Sequence, residues 1–160
     1  MVTNLPESKG YTAVVVFIDE LTKWVHFAPC TKEVTASDYA RIFVDTVFRH
    51  HGLPEVIISD RDPRFTSKFW TTLFELLGTD LRFSTAFHPQ MDGQSEVMIR
   101  TLENFLRPYV ERNPASWVKQ LLLVEFIANN TVNASTGYTP FYLEAGQDPK
   151  VPILLLDSSV

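Results

Sequence analysis

Several features that usually settle compartment or class are scarce in this sequence. It has one cysteine, Cys30. No internal disulfide can therefore form, and a zinc site built on paired cysteines is out of reach, so a reducing, intracellular setting is expected rather than secretion. Long hydrophobic runs are missing too. The longest uncharged apolar stretch near the N-terminus, Ala13 to Ile18, falls far short of the ~20 residues that a bilayer span needs. No basic-then-apolar signal precedes it, and a soluble protein without membrane contact is expected. Positive charge is in deficit: 14 Lys and Arg against 19 Asp and Glu leave a net charge of -5. That balance weighs against a general nucleic-acid binder, because neutralising phosphates takes clustered cations. There is no internal repeat and no low-complexity segment.

What remains is 160 residues, 45% of them hydrophobic, enough for one domain with a real core and too few for two comfortable ones. Residues 11–18, YTAVVVFI, form a continuous apolar run rich in β-branched side chains, which predicts a strand buried on both faces. WVHFAPC predicts its partner, with DELTK as the turn between them. Over residues 35–51 the apolar positions Tyr39, Ile42, Phe43, Val47 and Phe48 recur at helical spacing, Thr35 with Asp38 forms a capping-box pattern, and Gly52 and Pro54 end the run. EVIIS (55–59) predicts a short buried strand. In SKFWTTLFELLG (67–78), Phe69, Trp70, Leu73, Phe74 and Leu77 share one face and Gly78 stands as C-cap.

A strand is expected over LRFSTA (81–86), followed by the polar loop HPQMDGQSE. A helix over 95–111 would turn Ile99, Leu102, Leu106 and Val110 inward, with Glu96, Arg100, Glu103 and Arg107 opposite them. Pro108 is expected to bend or interrupt its last turn. Further helices are predicted over 115–130 and from Thr139–Pro140, and Trp24, Trp70 and Trp117 read as core. The alternation of strands and helices is an α/β pattern, a sheet covered by helices.

Two carboxylates stand out. Asp60 directly follows an apolar strand, the place where open α/β folds put ligand sites. Glu96 falls in a helix's first turn, where the dipole favours negative charge. Each has a plain structural reading, Asp60 as a turn residue and Glu96 as a cap. Between them lie 35 residues (61 to 95), and the flanking segments carry a recognisable pattern. LTKWVHFAP, FRHHGLPEVIISDRDPRFTSKFW, LLGTDLRFSTAFHPQMDGQSE, RTLENFLRPY, LLLVEFIANN and STGYTPFYLEAG occur in order over residues 2–149. In these the chain resembles the catalytic core of retroelement integrases, most of all those of gypsy-type LTR retrotransposons, which belong to the DDE polynucleotidyl transferases.

The resemblance implies an RNase-H-like fold, a mixed central sheet flanked by helices, over residues 1–149, with 150–160 as a C-terminal tail. It implies a Mg²⁺- or Mn²⁺-dependent polynucleotidyl transferase that processes and joins element DNA ends (DNA integration), with Asp60 and Glu96 as catalytic metal ligands. Two divalent ions about 3.5–4 Å apart can neutralise and align a transferring phosphoryl group, and hard cations take carboxylate oxygens from different elements. Gln94, Ser95 and Arg100 are the implied nucleic-acid contacts. Arg100 equally suits a surface ion pair with Glu96 or Glu103, one turn away on the same face. A homo-oligomer formed through the core, and residence in the nucleus or a cytoplasmic element particle, are further implications.

The chain also departs from the family pattern. Asp19, in VVVFIDELTKW, belongs to the second strand of the pattern and is judged non-catalytic. The first-strand aspartate stands in D-F/Y-x-x-x-L-P, which matches MVTNLP with Met1 at the aromatic position, one place after the aspartate. The 160 residues are thus expected to begin within the first strand and, with two carboxylates, to be incompetent for strand transfer. Val97 and Ile99 replace an Arg and an Asn usual after the glutamate, and Asp62 replaces a Gly, adding charge that repels phosphate. The flanking zinc-binding and basic domains of full integrases lie outside these residues, which makes the acidic balance less surprising. The alternative reading is a domesticated or degenerate copy, kept as a non-catalytic nucleic-acid-binding or self-associating module. His50–His51 reads as a favourable dipole pair at a helix end rather than a metal site, and His88 as an anchor of its loop rather than a general base.

Overall fold

A computed structural model describes residues 1–54, 56–59, 67–78, 86–89 and 93–150. Its centre is an antiparallel hairpin of β1 (Ala13–Ile18) and β2 (Val25–Cys30), in register from Ala13 opposite Cys30 to Ile18 opposite Val25. The hairpin turn is closed by Asp19 N–H donating to Trp24 O at 2.8 Å and Lys23 N–H to Asp19 O at 3.0 Å. On the other edge of β1, Val2 and Val14 exchange two backbone hydrogen bonds of 2.9 Å each. Because side chains alternate across a strand, β1 feeds two cores. Val14, with Val25 and Phe27, packs against Leu102, Leu106, Trp117, Leu121 and Val124. Ala13 and Val15, with Ala28 and Cys30, pack against Tyr39, Phe43, Phe69 and Leu73. The continuous apolar run is explained by that double coverage, with one core lying on each face of β1.

The helices follow their sequence signals. In α1 (Ala36–Phe43), Thr35 Oγ1 accepts from Asp38 N–H at 3.2 Å and Asp38 Oδ2 accepts from Thr35 N–H at 3.4 Å, completing the capping box, while Thr35 Oγ1 also donates to Asp38 Oδ2 at 2.6 Å. The Thr35 hydroxyl holds the Asp38 carboxyl below the usual carboxylate value, partly opposed by desolvation, with smaller help from the Thr35 N–H and Arg41. The run continues through a π-helical stretch, Val44–Phe48, into α2 (Arg49–His51), and Gly52 leaves it at φ 77°. Val44, Val47 and Phe48 all rest on the second core, and the wide turn keeps these adjacent pairs on one face. Then come β3 (Val56–Ser59), α3 (Ser67–Leu77) ending at Gly78 with φ 65°, and β4 (Ala86–Pro89), parallel to β3. Last are α4 (Gly93–Arg112), α5 (Trp117–Asn129) after a 3₁₀ turn at Pro114–Ser116, and α6 (Pro140–Ala145), capped by Thr139.

Three expectations need correction. The HPQMDGQSE stretch opens as strand, since His88 and Pro89 pair with Ile58 and Ser59; of LRFSTA only Ala86 lies within the described residues. Pro108 does not interrupt α4, which runs unbroken to Arg112. Pro108 and Asn104, whose carbonyl loses its partner, are both exposed, so water can satisfy the freed group. Trp117 is fully buried, but Trp24 and Trp70 are only partly so. Among the described residues no helix is long and apolar enough to cross a membrane.

The outward edge of β2 is closed by α5. Asn129 Oδ1 accepts from Val25 N–H at 2.8 Å and its Nδ2 donates to Val25 O at 2.9 Å, while Glu125 Oε2 accepts from Phe27 N–H at 2.7 Å. By alternation the next outward position is Pro29, which has no N–H to satisfy. Every outward donor along β2 is thereby accounted for.

Asn129→Ala leaves a buried donor and a buried acceptor of Val25 unpaired, at about 1–3 kcal/mol each. Urea unfolding should show a loss of about 2–5 kcal/mol, and a loss under 1 would contradict the edge assignment. For the cap, Thr35→Ala should cost about 1 kcal/mol at neutral pH. The lowered Asp38 contributes above the carboxylate range and its contribution is lost as pH falls through it, so the cost of Thr35→Ala should shrink in urea titrations repeated near about pH 3.

Candidate metal centre

The two carboxylates singled out from the sequence attach to one parallel strand pair. β3 and β4 run side by side from Val56 opposite Ala86 to Ser59 opposite Pro89. Asp60 is the next residue after Ser59 and lies outside the described residues. Residues 90–92 also lie outside them, and α4 begins at Gly93, four residues after Pro89. Glu96 is the fourth residue of α4; the side chains of Gln94, Ser95 and Glu96 are outside the described set. In a parallel pair both C-terminal ends lie on one side. The strand end that precedes Asp60 and the segment that leads into α4 therefore share one end of this pair.

Two packing relations hold the surroundings. α4 is fixed by Leu102 and Leu106, both buried against Val14 and Trp117 in the first core. Ile57 of β3 rests on the second core, and so does Met1, whose Sδ lies 3.9 Å from Cys30 Sγ. The N-terminal end of the chain and β3 thus pack on the same apolar cluster. Ile99, expected where a polar group would orient metal ligands, instead packs with Val110 on the first core. Its apolar side chain is explained by burial.

The remaining sequence candidates separate. Arg100 is exposed, and among the described residues no ion pair joins it to Glu103. Asp19 is exposed in the hairpin turn, where its Oδ2 accepts from Thr22 N–H and from Thr22 Oγ1, both at 2.7 Å. Its carboxylate already has a turn-closing role. His50 and His51 do more than face a helix dipole. His51 contacts His26 and Glu144, and the His50 ring stacks on that of His26 with centroids 5.8 Å apart.

Sequence reasoning passed over Glu125 and Asn129. Both were visible as polar residues four apart in the otherwise apolar LLLVEFIANN, on one face of a helix. Among the described residues no group of three or more His, Cys, Asp or Glu is arranged to hold a metal ion.

No family model matches the chain. It is 37% identical over 157 residues to the transposon Tf2-3 polyprotein of Schizosaccharomyces pombe, a match that covers 98% of this chain and 12% of that protein. The Tf2-4 polyprotein of the same organism matches to the same extent. The chain thus spans about an eighth of the length of these relatives. Among solved structures, the HTLV-2 integrase catalytic core domain in complex with magnesium, in its trimeric form, superposes with a TM-score of 0.62 at 18% identity, covering 88% of this chain and 96% of that one. The simian T-cell lymphotropic virus intasome in complex with PP2A regulatory subunit B56 gamma gives a TM-score of 0.67 at 19% identity over 95% of this chain and 58% of that one. The chain thus shares the RNase-H-like fold of integrase catalytic cores and is similar in sequence to one segment of the Tf2 transposon polyproteins.

Proposed function

We propose that these residues are the catalytic core of a gypsy-type LTR-retrotransposon integrase, a DDE polynucleotidyl transferase whose parent protein processes the 3′ ends of element DNA and joins them to target DNA. The observation that carries this reading is the parallel register of β3 and β4, which puts the strand end before Asp60 and the strand end from which the chain runs on to α4 at the same end of the pair. Similarity to the Tf2 polyproteins over nearly the whole chain supports it.

Asp60 and Glu96 would hold Mg²⁺ or Mn²⁺. When bound, such ions supply charge neutralisation and alignment for a phosphoryl group. The protein's own part is rigidity. α4 is clamped by Leu102 and Leu106 at zero to 1% exposure, so Glu96 rides on a helix that cannot tilt without opening the core. Exposed Arg100, one turn beyond Glu96 on α4, would meet phosphate or a base edge, with Gln94 and Ser95 preceding Glu96 on the same helix. The net charge of -5 means that these contacts would have to be local. Self-association through the core is part of the proposal; the HTLV-2 core has been solved in dimeric and trimeric forms. So is residence in the nucleus or in an element particle.

The same packing tells which polypeptide should work. With Val2 opposite Val14 in antiparallel register, a residue added ahead of Met1 falls opposite Val16, which packs on the first core together with Leu102 and Leu106 of α4. A polypeptide of these 160 residues should therefore show little metal-dependent nicking of element-end DNA. The same polypeptide with an aspartate placed directly before Met1 should gain it, together with a thermal upshift in millimolar Mg²⁺ or Mn²⁺. Glu96→Gln or Asp60→Asn in the extended chain should abolish both. Strong end-nicking by the 160-residue form, lost on Glu96→Gln, would contradict the need for a third carboxylate. If the extended chain binds DNA yet shows neither nicking nor a metal upshift, the non-catalytic binding module replaces this reading.

Arg100→Ala should weaken DNA binding and flatten its salt dependence by about one counterion, without changing the metal upshift. Binding titrations at several salt concentrations measure this directly, and an unchanged slope would return Arg100 to a plain surface residue.

A further inference from the structure

Away from the carboxylates, four titratable side chains from four elements form a single line. Glu125 Oε1 of α5 lies 3.0 Å from His26 Nδ1 of β2. His26 Nε2 lies 2.9 Å from His51 Nε2 of α2, and His51 Nδ1 lies 3.1 Å from Glu144 Oε1 of α6. Trp24 Nε1–H also donates to His26 Nε2, at 3.1 Å. The His26 and Glu125 side chains are 13% and 22% exposed, those of His51 and Glu144 29% and 39%. The line is thus partly withdrawn from water at one end and open at the other.

Counting hydrogens shows what this geometry requires. Ionised carboxylates only accept, so His26 Nδ1 and His51 Nδ1 must each carry a hydrogen. The Trp24 N–H aimed at His26 Nε2 requires a lone pair there. Two neutral imidazoles supply two hydrogens, and the carboxylates use both. The contact between the two Nε2 atoms would then press one lone pair against another. It becomes attractive only when His51 Nε2 carries a third hydrogen and donates it to the His26 Nε2 lone pair, which is then shared in a three-centre bond with the Trp24 N–H.

We propose that the Glu125–His26–His51–Glu144 line holds one proton more than two neutral imidazoles provide, carried on His51, and that this proton latches α6 to the hairpin. The charged groups around it set the balance. Glu125 and Glu144 favour the added charge, while Arg49, whose Nη2 lies 3.4 Å from His50 Nε2, opposes it, with His50 stacked on His26. The element it controls is short. Besides Glu144, α6 is seated by Phe141, edge-on to Trp24 at 4.7 Å between centroids and packed beside Phe126 at 5.4 Å. Pro140 at its start is buried, while Tyr142 and Leu143 are exposed, so the C-terminal half of the helix, with Glu144, has little else to anchor it. A proton taken up in the docked state stabilises docking at low pH, and that stabilisation is lost as pH rises through the imidazole range.

The test is performed on the 160-residue chain in chelator-treated buffer at about pH 6 and pH 8. Amide exchange of Leu143 and Gly146, which bond back to Thr139 O and Tyr142 O, reads α6. After correction for the intrinsic effect of pH, their protection should fall about tenfold at the higher pH. His51→Gln, which keeps a donor toward His26 but cannot titrate, should remove this dependence, and Glu144→Gln should reduce it. Imidazole ¹⁵N spectra of the unaltered chain give a readout that needs no variant: at the lower pH, two protonated nitrogens on His51 and an unprotonated Nε2 on His26. Equal protection at both pH values, a neutral His51 at the lower pH, or a pH dependence that survives His51→Gln would each overturn the proposal. So would Zn²⁺ restoring protection at the higher pH through His51, since that would place a metal where the proton is assigned.

Discussion

The outward edge of β2 constrains everything around it. A hairpin strand with one face in each of two cores still presents a row of backbone donors and acceptors along its free side, and these cannot be buried unpaired. The protein answers with side chains rather than with another strand. Asn129 mimics a neighbouring peptide unit, donating to and accepting from Val25, Glu125 takes the Phe27 N–H, and Pro29 removes the next donor altogether. Because amide and carboxylate groups must meet the backbone at hydrogen-bond distance, the rotation and height of α5 relative to the hairpin are set to within a fraction of an ångström.

From that anchor the rest of one layer follows. Trp117, Leu121 and Val124 of α5 are buried with Leu102 and Leu106 of α4, so the two helices share one packing surface over Val14, Val25 and Phe27. The N-terminal segment is tied into the same layer, with Trp117 Nε1 donating to Pro6 O and Ser8 Oγ to Ala115 O, both at 2.6 Å. Polar fastening at the sheet edge and apolar packing beneath it act on different atoms of the same helix. Helix α4, which begins beside the end of the parallel pair, inherits its placement from contacts well away from Glu96.

Sequence pattern revealed the parts that follow a period. The doubly buried β1 was visible in its unbroken apolar run, α4 in the stripe through Leu102 and Leu106, and the start of α1 in the Thr35–Asp38 box. Of the candidate centre, the strand before Asp60 and the helix under Glu96 were both legible, since each ends or begins on a local signal. What could not be read depends on partners far along the chain. His26 meets Glu125 from 99 positions away and His51 meets Glu144 from 93, and no local period announces such pairs. The extension of β4 through His88 and Pro89 has the same origin, because they become strand only through β3. Pro108 shows the reverse case: a strong local breaker inside a helix that runs on to Arg112, at a place where both Pro108 and Asn104 are exposed.

The sealing groups of β2 also impose an order on events during synthesis. Val25 leaves the ribosome 104 residues ahead of Asn129, so the hairpin must wait, open along that side, until the segment that forms α5 has emerged. Closing so long a loop is entropically slow, and an unsealed strand of this composition invites pairing with other nascent chains. Pro29 then serves as a guard in the interval, blunting the edge before α5 exists to cover it.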